Sequence, residues 1–119
     1  MELSEFQRVI RETYLERDRA RGVDGTFRWL VEEVGELAKA LRVSPGAGGP
    51  DAGELAHEAA DVLAWLTSVA NLVGVDLEQA AARYAHGCPK CGATPAPARW
   101  LDRSPAPDAR APRPARTRR

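Results

Sequence analysis

Asp51, followed three residues later by Glu54, opens a stretch that runs to Gly74 without a proline. Along it Leu55, Ala59, Val62, Leu63, Leu66, Val69, Ala70 and Val73 recur at helical spacing and cover more than a third of a helix circumference. Most helical stability in proteins comes from packing an apolar face, so a helix this apolar must sit centrally among others. The remaining helices are marked by their punctuation. Ser4 with Gln7 resembles a capping box, and Gly22 is placed to stop a first helix over residues 5–21. Asp24 or Thr26 caps the next, which carries Phe27, Leu30, Val31, Val34, Leu37 and Leu41 until Ser44-Pro45-Gly46 stops it. Asp76 with Gln79 opens another, closed near Gly87. Strand-like alternation is scarce, so the pattern predicts an all-α, four-helix bundle with the loop SPGAGGPDAG exposed and flexible.

At 119 residues the chain suits one domain with a modest core, which dimerisation would enlarge. Its formal charge is zero, yet residues 1–92 carry 15 acidic against 10 basic residues, and residues 93–119 carry 7 arginines against 2 aspartates. Six of the nine prolines fall between Pro95 and Pro114. A segment of that composition cannot bury enough apolar surface to offset its ordering entropy, so disorder is expected there. The expected organisation is a helical domain over 1–87, a knuckle-like segment over 88–92 and a disordered tail over 93–119. No signal peptide or membrane span is indicated, and a cytoplasmic protein is the expectation.

The helical faces carry acidic residues where a plain amphipathic helix would need none. On the second helix Glu32, Glu33 and Glu36 lie three and four residues apart, beside Trp29. On the third, Glu54, Glu58, Asp61 and Trp65 form one column at the margin of the apolar face. Like charges at such a margin raise one another's pKa unless a cation joins them. Oxygen donors without His or Cys suit Mg²⁺, or Mn²⁺, and Mg²⁺ couples readily to substrate phosphates. Either cluster alone reads equally well as a solvated face, with Glu36 pairing with Lys39. Two clusters, each with a Trp four residues away, favour a site.

The strings EEVGELAKAL (Glu32 to Leu41), ELAHEAADVLAWL (Glu54 to Leu66) and ANLVGVDLEQA (Ala70 to Ala80) also resemble the EExxE…ExxD pattern of MazG-like nucleotide pyrophosphohydrolases. That family belongs to the all-α NTP pyrophosphatases, and the resemblance covers roughly Thr26 to Tyr84. It implies Mg²⁺-dependent cleavage of a nucleoside triphosphate to monophosphate and pyrophosphate by a homodimer or homotetramer. It implies Glu33, Glu36, Glu58 and Asp61 as metal ligands, and Glu32 or Glu33 as the group that receives the proton of the attacking water. Asn71 and Arg83 match positions implied to contact substrate, although spacing alone reads them as an interhelical polar residue and a solvated charge. Trp29 or Trp65 is expected either to stack on a base or to pack helices.

Cys88-Pro-Lys-Cys91 has the spacing of half a zinc knuckle. A tetrahedral site takes four ligands, and this chain offers Cys88, Cys91 and His86; either one pair from each of two subunits completes a zinc site, or the site has decayed. The Arg-rich tail lacks interleaved aromatics, which argues against specific recognition of nucleic acid. Beside the pyrophosphohydrolase reading stand two others: a non-catalytic nucleotide-binding homologue, and a small zinc-linked adaptor that binds nucleic acid through its tail.

Overall fold

The computed structural model describes residues 1–42 and 48–94. Among these there are three helices and no strand: α1 Leu3–Ala40, α2 Ala52–Val73 and α3 Leu77–Ala82. All three lie in a unit spanning Met1–Ala85, and a second unit begins at His86. The stop expected at Ser44-Pro45-Gly46 falls outside the described residues, as does the chain beyond Thr94, including the tail and its Trp100.

The all-α expectation holds. The two helices expected before the loop are present as two arms of α1 that meet at Gly22, whose φ of 82° and ψ of 170° leave the helical path. A side chain on Cβ disfavours such a positive φ, so glycine suits the break. The capping expected of Thr26 takes another form: its hydroxyl donates to the Gly22 carbonyl at 2.8 Å, and the residue is fully buried. Ser4 with Gln7 likewise makes no capping box. The helix starts behind Glu2 without a side-chain cap. The Gln7 side chain instead crosses to the α2–α3 junction, donating to the Val75 carbonyl at 2.8 Å and accepting from the Leu77 N–H at 2.9 Å. Gln7 Nε2 also donates to Asn71 Oδ1 at 3.1 Å, so one buried amide ties the start of α1 to the far end of α2.

The later signals act as the sequence implies. Asp51 accepts from the Glu54 N–H at 2.8 Å, and Asp76 accepts from the Gln79 N–H at 2.9 Å. Gly74 closes α2 in the left-handed conformation, with φ 73°. The last helix is shorter than expected, ending at Ala82 rather than near Gly87, and turns with bonds from Tyr84 and Ala85 to Ala81 and Ala82 follow it. None of its residues is buried, so no tertiary packing extends it.

Helices α1 and α2 pack along each other and make most of the domain. Their apolar surface exceeds what they cover. Phe27, Val31 and Val34 on the second arm of α1, Leu41 just after it, and Leu63, Leu66 and Val73 on α2 are all exposed. Buried apolar side chains are few among the described residues: Ile10, Ala40 and Ala70. No described helix is long and apolar enough to cross a membrane.

Candidate metal and nucleotide site

The second arm of α1 and the first half of α2 bring carboxylates together. One oxygen from each of Glu33, Glu58 and Asp61 lies within 4.8 Å of the others, and all three residues are half-buried. Glu58 and Asp61 share a face of α2 at i and i+3. Desolvation by burial pushes the Glu33 carboxyl above the ordinary glutamate value, helped by the charges of Asp61, Glu58 and Glu32, while a hydrogen bond from the Trp65 side chain opposes the shift. No lysine or arginine forms an ion pair with any of the three among the described residues. Asp61 has His57 as its basic neighbour among the described residues, with Nε2 3.5 Å from its Oδ2.

The other sequence-predicted residues are placed differently. Glu36 is one turn beyond Glu33, where Lys39 Nζ meets its carboxylate at 3.6 Å, and it does not join the three converging oxygens. Glu32 is exposed beside Glu33. Trp29 and Trp65 stack on each other, with centroids 5.6 Å apart and planes 12° apart, and the Arg21 guanidinium lies 4.8 Å from the Trp65 ring centre. The expectation of helix packing thus describes both indoles. Asn71 lies ten residues beyond Asp61 on α2, about 15 Å along the axis. Its side chain exchanges hydrogen bonds with Gln7 and accepts from Arg11 Nε at 3.4 Å, which is the interhelical role that spacing suggests. Arg83 caps the end of α3 with its guanidinium 6.0 Å from the Tyr84 ring centre.

Residues 21–90, more than half of the chain, match the MazG nucleotide pyrophosphohydrolase domain. The chain belongs to that family. The matched span holds both helical arms that build the acidic cluster, whose three carboxylates could hold a metal ion. No curated protein matches the chain.

Beside the MazG cluster the structure shows a feature that sequence reasoning missed. A cavity of about 260 Å³ is lined by Tyr14, Arg17, Asp18 and Arg21 of the first arm of α1 and by Asp61, Ala64, Trp65 and Ser68 of α2. Asp61 and Trp65 belong to both features. Asp18 is only 2% exposed, and its Oδ1 accepts from Arg21 Nη1 at 2.9 Å. Its Oδ2 is buried and has no hydrogen-bond partner. Asp18 hides in the sequence inside RETYLERDRARG, where charges of both signs alternate like any solvated face. The readable signal was the recurrence of Tyr14, Asp18 and Arg21 at helical spacing, facing Asp61, Trp65 and Ser68.

In the unit that begins at His86, the Cys88 N–H donates to the Ala93 carbonyl at 2.7 Å and the Gly92 N–H donates to the Cys88 carbonyl at 2.9 Å. Gly87 has φ 116°, and a Cβ there would come within 2.3 Å of the Ala93 oxygen, so this turn requires glycine. Backbone N–H groups of Cys91 and Lys90 bond to the Cys88 sulfur and hold its thiol below the ordinary value of 9.0. Both cysteines are free thiols.

Proposed function

We propose that the chain is a Mg²⁺-dependent nucleoside-triphosphate pyrophosphohydrolase that releases a nucleoside monophosphate and pyrophosphate from ribo- or deoxyribonucleotides. The observation that carries this reading is the convergence of Glu33, Glu58 and Asp61 within a MazG domain, with a carboxyl pushed up by burial and by its like-charged neighbours. Unpaired carboxylates at this spacing are electrostatically incomplete, and hard oxygen donors without His or Cys fit Mg²⁺ or Mn²⁺.

Glu33, Glu58 and Asp61 would hold the ion. Glu36 would be a fourth ligand on leaving Lys39, since an exposed pair of this kind is worth only about 0–1 kcal/mol. When bound, Mg²⁺ acts as a Lewis acid on phosphate oxygens and water. The chain itself contributes placement and proton handling. Glu32, exposed beside Glu33 and outside the converging oxygens, takes the proton of the attacking water as general base. The stacked Trp29–Trp65 pair forms an apolar wall that limits water on that side of the acidic groups.

The functional unit is a dimer or a tetramer. Phe27, Val31 and Val34 recur at i, i+4 and i+7 along one side of α1 and remain exposed, as do Leu63 and Leu66 on α2, which is a surface that an isolated small domain would rarely leave in water. Cys88 and Cys91 supply two of the four ligands of a tetrahedral zinc site, so their number fits an ion shared between two copies. We assign that pair no step in the reaction.

Pyrophosphate release from a panel of canonical and modified NTPs and dNTPs, with Mg²⁺, Mn²⁺ or EDTA, tests the reading. Metal-dependent release that is lost in Glu36→Gln and Asp61→Asn is expected. Release that persists in both folded variants, or in EDTA, would remove the acidic cluster from the mechanism.

A further inference from the structure

Cys88 and Cys91 are the only cysteines of the chain, and the proposed hydrolysis leaves both unused. We propose that they are a redox couple, which a small-molecule disulfide converts by thiol–disulfide exchange into a disulfide within one chain, a property independent of the hydrolysis proposed above.

The backbone holds the pair ready. The Gly92 N–H donates to the Cys88 carbonyl at 2.9 Å and the Cys88 N–H donates to the Ala93 carbonyl at 2.7 Å, so residues 88–93 close a turn on themselves. The ring of Pro89 fixes its φ, and Gly87 holds a φ of 116° that a side chain would resist. A turn brings Cα atoms three residues apart to less than about 7 Å. Disulfides span Cα separations of about 4.4–6.8 Å, so closing this pair asks little of the backbone. The Cys91 thiol already hydrogen-bonds to the Cys88 sulfur, which puts the two sulfurs beside each other. Cys88 is half-buried and Cys91 exposed, so a small molecule in solvent reaches both.

The surroundings of the two sulfurs set their roles. Backbone N–H groups of Cys91 and Lys90, together with the Cys91 thiol, point hydrogens at the Cys88 sulfur and favour negative charge on it. Cys88 is therefore the attacking thiolate. It bonds to one sulfur of the small disulfide, breaking that S–S bond and expelling one small thiolate. The Cys91 thiolate then attacks the Cys88 sulfur, breaking the mixed disulfide and expelling the second. Two protein thiols are oxidised by two electrons, the small disulfide is reduced to two thiols, and the two protons the cysteines lose end on them. The oxidised pair offers no thiolate, so this state and a zinc shared between copies exclude each other, and reduction restores the ligands.

Glutathione disulfide is the probe. The full chain, kept free of metal with EDTA, is equilibrated with graded ratios of reduced to oxidised glutathione, quenched in acid and weighed by mass spectrometry. The wild type should pass reversibly into a single chain two hydrogens lighter than the reduced form, with no adduct. Cys91→Ser should stop at one glutathione adduct on Cys88. Cys88→Ser should gain its adduct at Cys91 roughly threefold or more slowly near neutral pH, because fewer of its thiols are ionised. A wild type that stays reduced in oxidised glutathione alone, accumulates glutathione adducts, or links two chains through disulfides would overturn the proposal. So would a Cys88→Ser chain that reacts as fast as Cys91→Ser. The wild-type products decide whether the pair closes, whatever the substitutions do to the turn, and none of these outcomes bears on pyrophosphate release.

Discussion

One buried carboxylate, Asp18, and a cluster of three lie along the α1–α2 contact, and they are satisfied in opposite ways. Asp18 is the more deeply buried, yet it has a counter-charge, Arg21, on one oxygen. Glu33, Glu58 and Asp61 are better hydrated, yet they face one another with no lysine or arginine paired to them among the described residues, where the basic neighbour is His57, 3.5 Å from Asp61. Burial alone therefore does not identify a cation site. What distinguishes the cluster is charge left uncompensated at close range, whereas Asp18 lacks only a hydrogen-bond donor.

Variants can break or sharpen this contrast. The largest effect belongs to Asp61→Asn, which should lower turnover by about 10²-fold or more, the scale on which removal of one electrostatic element acts. Steady-state pyrophosphate release checks it, with thermal melting to confirm that the fold survives. Arg21→Ala should come next, acting on stability. It strands the buried Asp18 carboxylate and removes the cation–π contact with Trp65, for a loss of roughly 2–3 kcal/mol, discounted because the arginine is partly exposed. Urea denaturation reads that loss directly.

Glu33→Gln should have the opposite sign. In EDTA it relieves repulsion from Asp61 and Glu58 and should stabilise the domain by roughly 0.5–1 kcal/mol at neutral pH, the sum of two like-charge contacts. The pH dependence follows from linkage. A carboxyl raised in the folded state binds its proton more tightly there than in the unfolded chain, so its charged form costs stability as pH rises from 4.5 through the raised value. The gain from Glu33→Gln should therefore vanish below pH 4.5 and be full above the raised value, as melting temperatures across that range would show. Saturating Mg²⁺ should reverse the ranking, raising the melting temperature of the wild type and leaving that of Glu33→Gln little changed. The smallest effect is expected of Lys39→Ala, under about 0.5 kcal/mol, since it removes only an exposed pair with Glu36.

Local chemistry made much of this legible in the sequence. The caps at Asp51 and Asp76 and the left-handed stop at Gly74 depend on neighbours a few residues away, and they stand where the sequence puts them. The acidic cluster was legible because its residues recur at three and four positions on two helices, although only Glu33, Glu58 and Asp61 converge while Glu36 turns to Lys39. Long-range partners were not legible. Gln7 looks like half a capping box until its amide is found 68 residues away on the Val75 carbonyl. Asp18 looks solvated until α2 covers it. The break at Gly22 and the helix that follows it were readable, but not that Thr26 bonds back to the Gly22 carbonyl instead of capping with its side chain.

The most direct test of the central claim, that three converging carboxylates hold a divalent cation, is Mn²⁺ binding followed by electron paramagnetic resonance. Titrations of the wild type should show saturable loss of the free-ion signal, with Mg²⁺ competing, and the double variant Glu33→Gln/Asp61→Asn should leave that signal free while remaining folded. Equal Mn²⁺ binding by the wild type and the double variant would contradict the account, because the ion would then sit elsewhere on the chain.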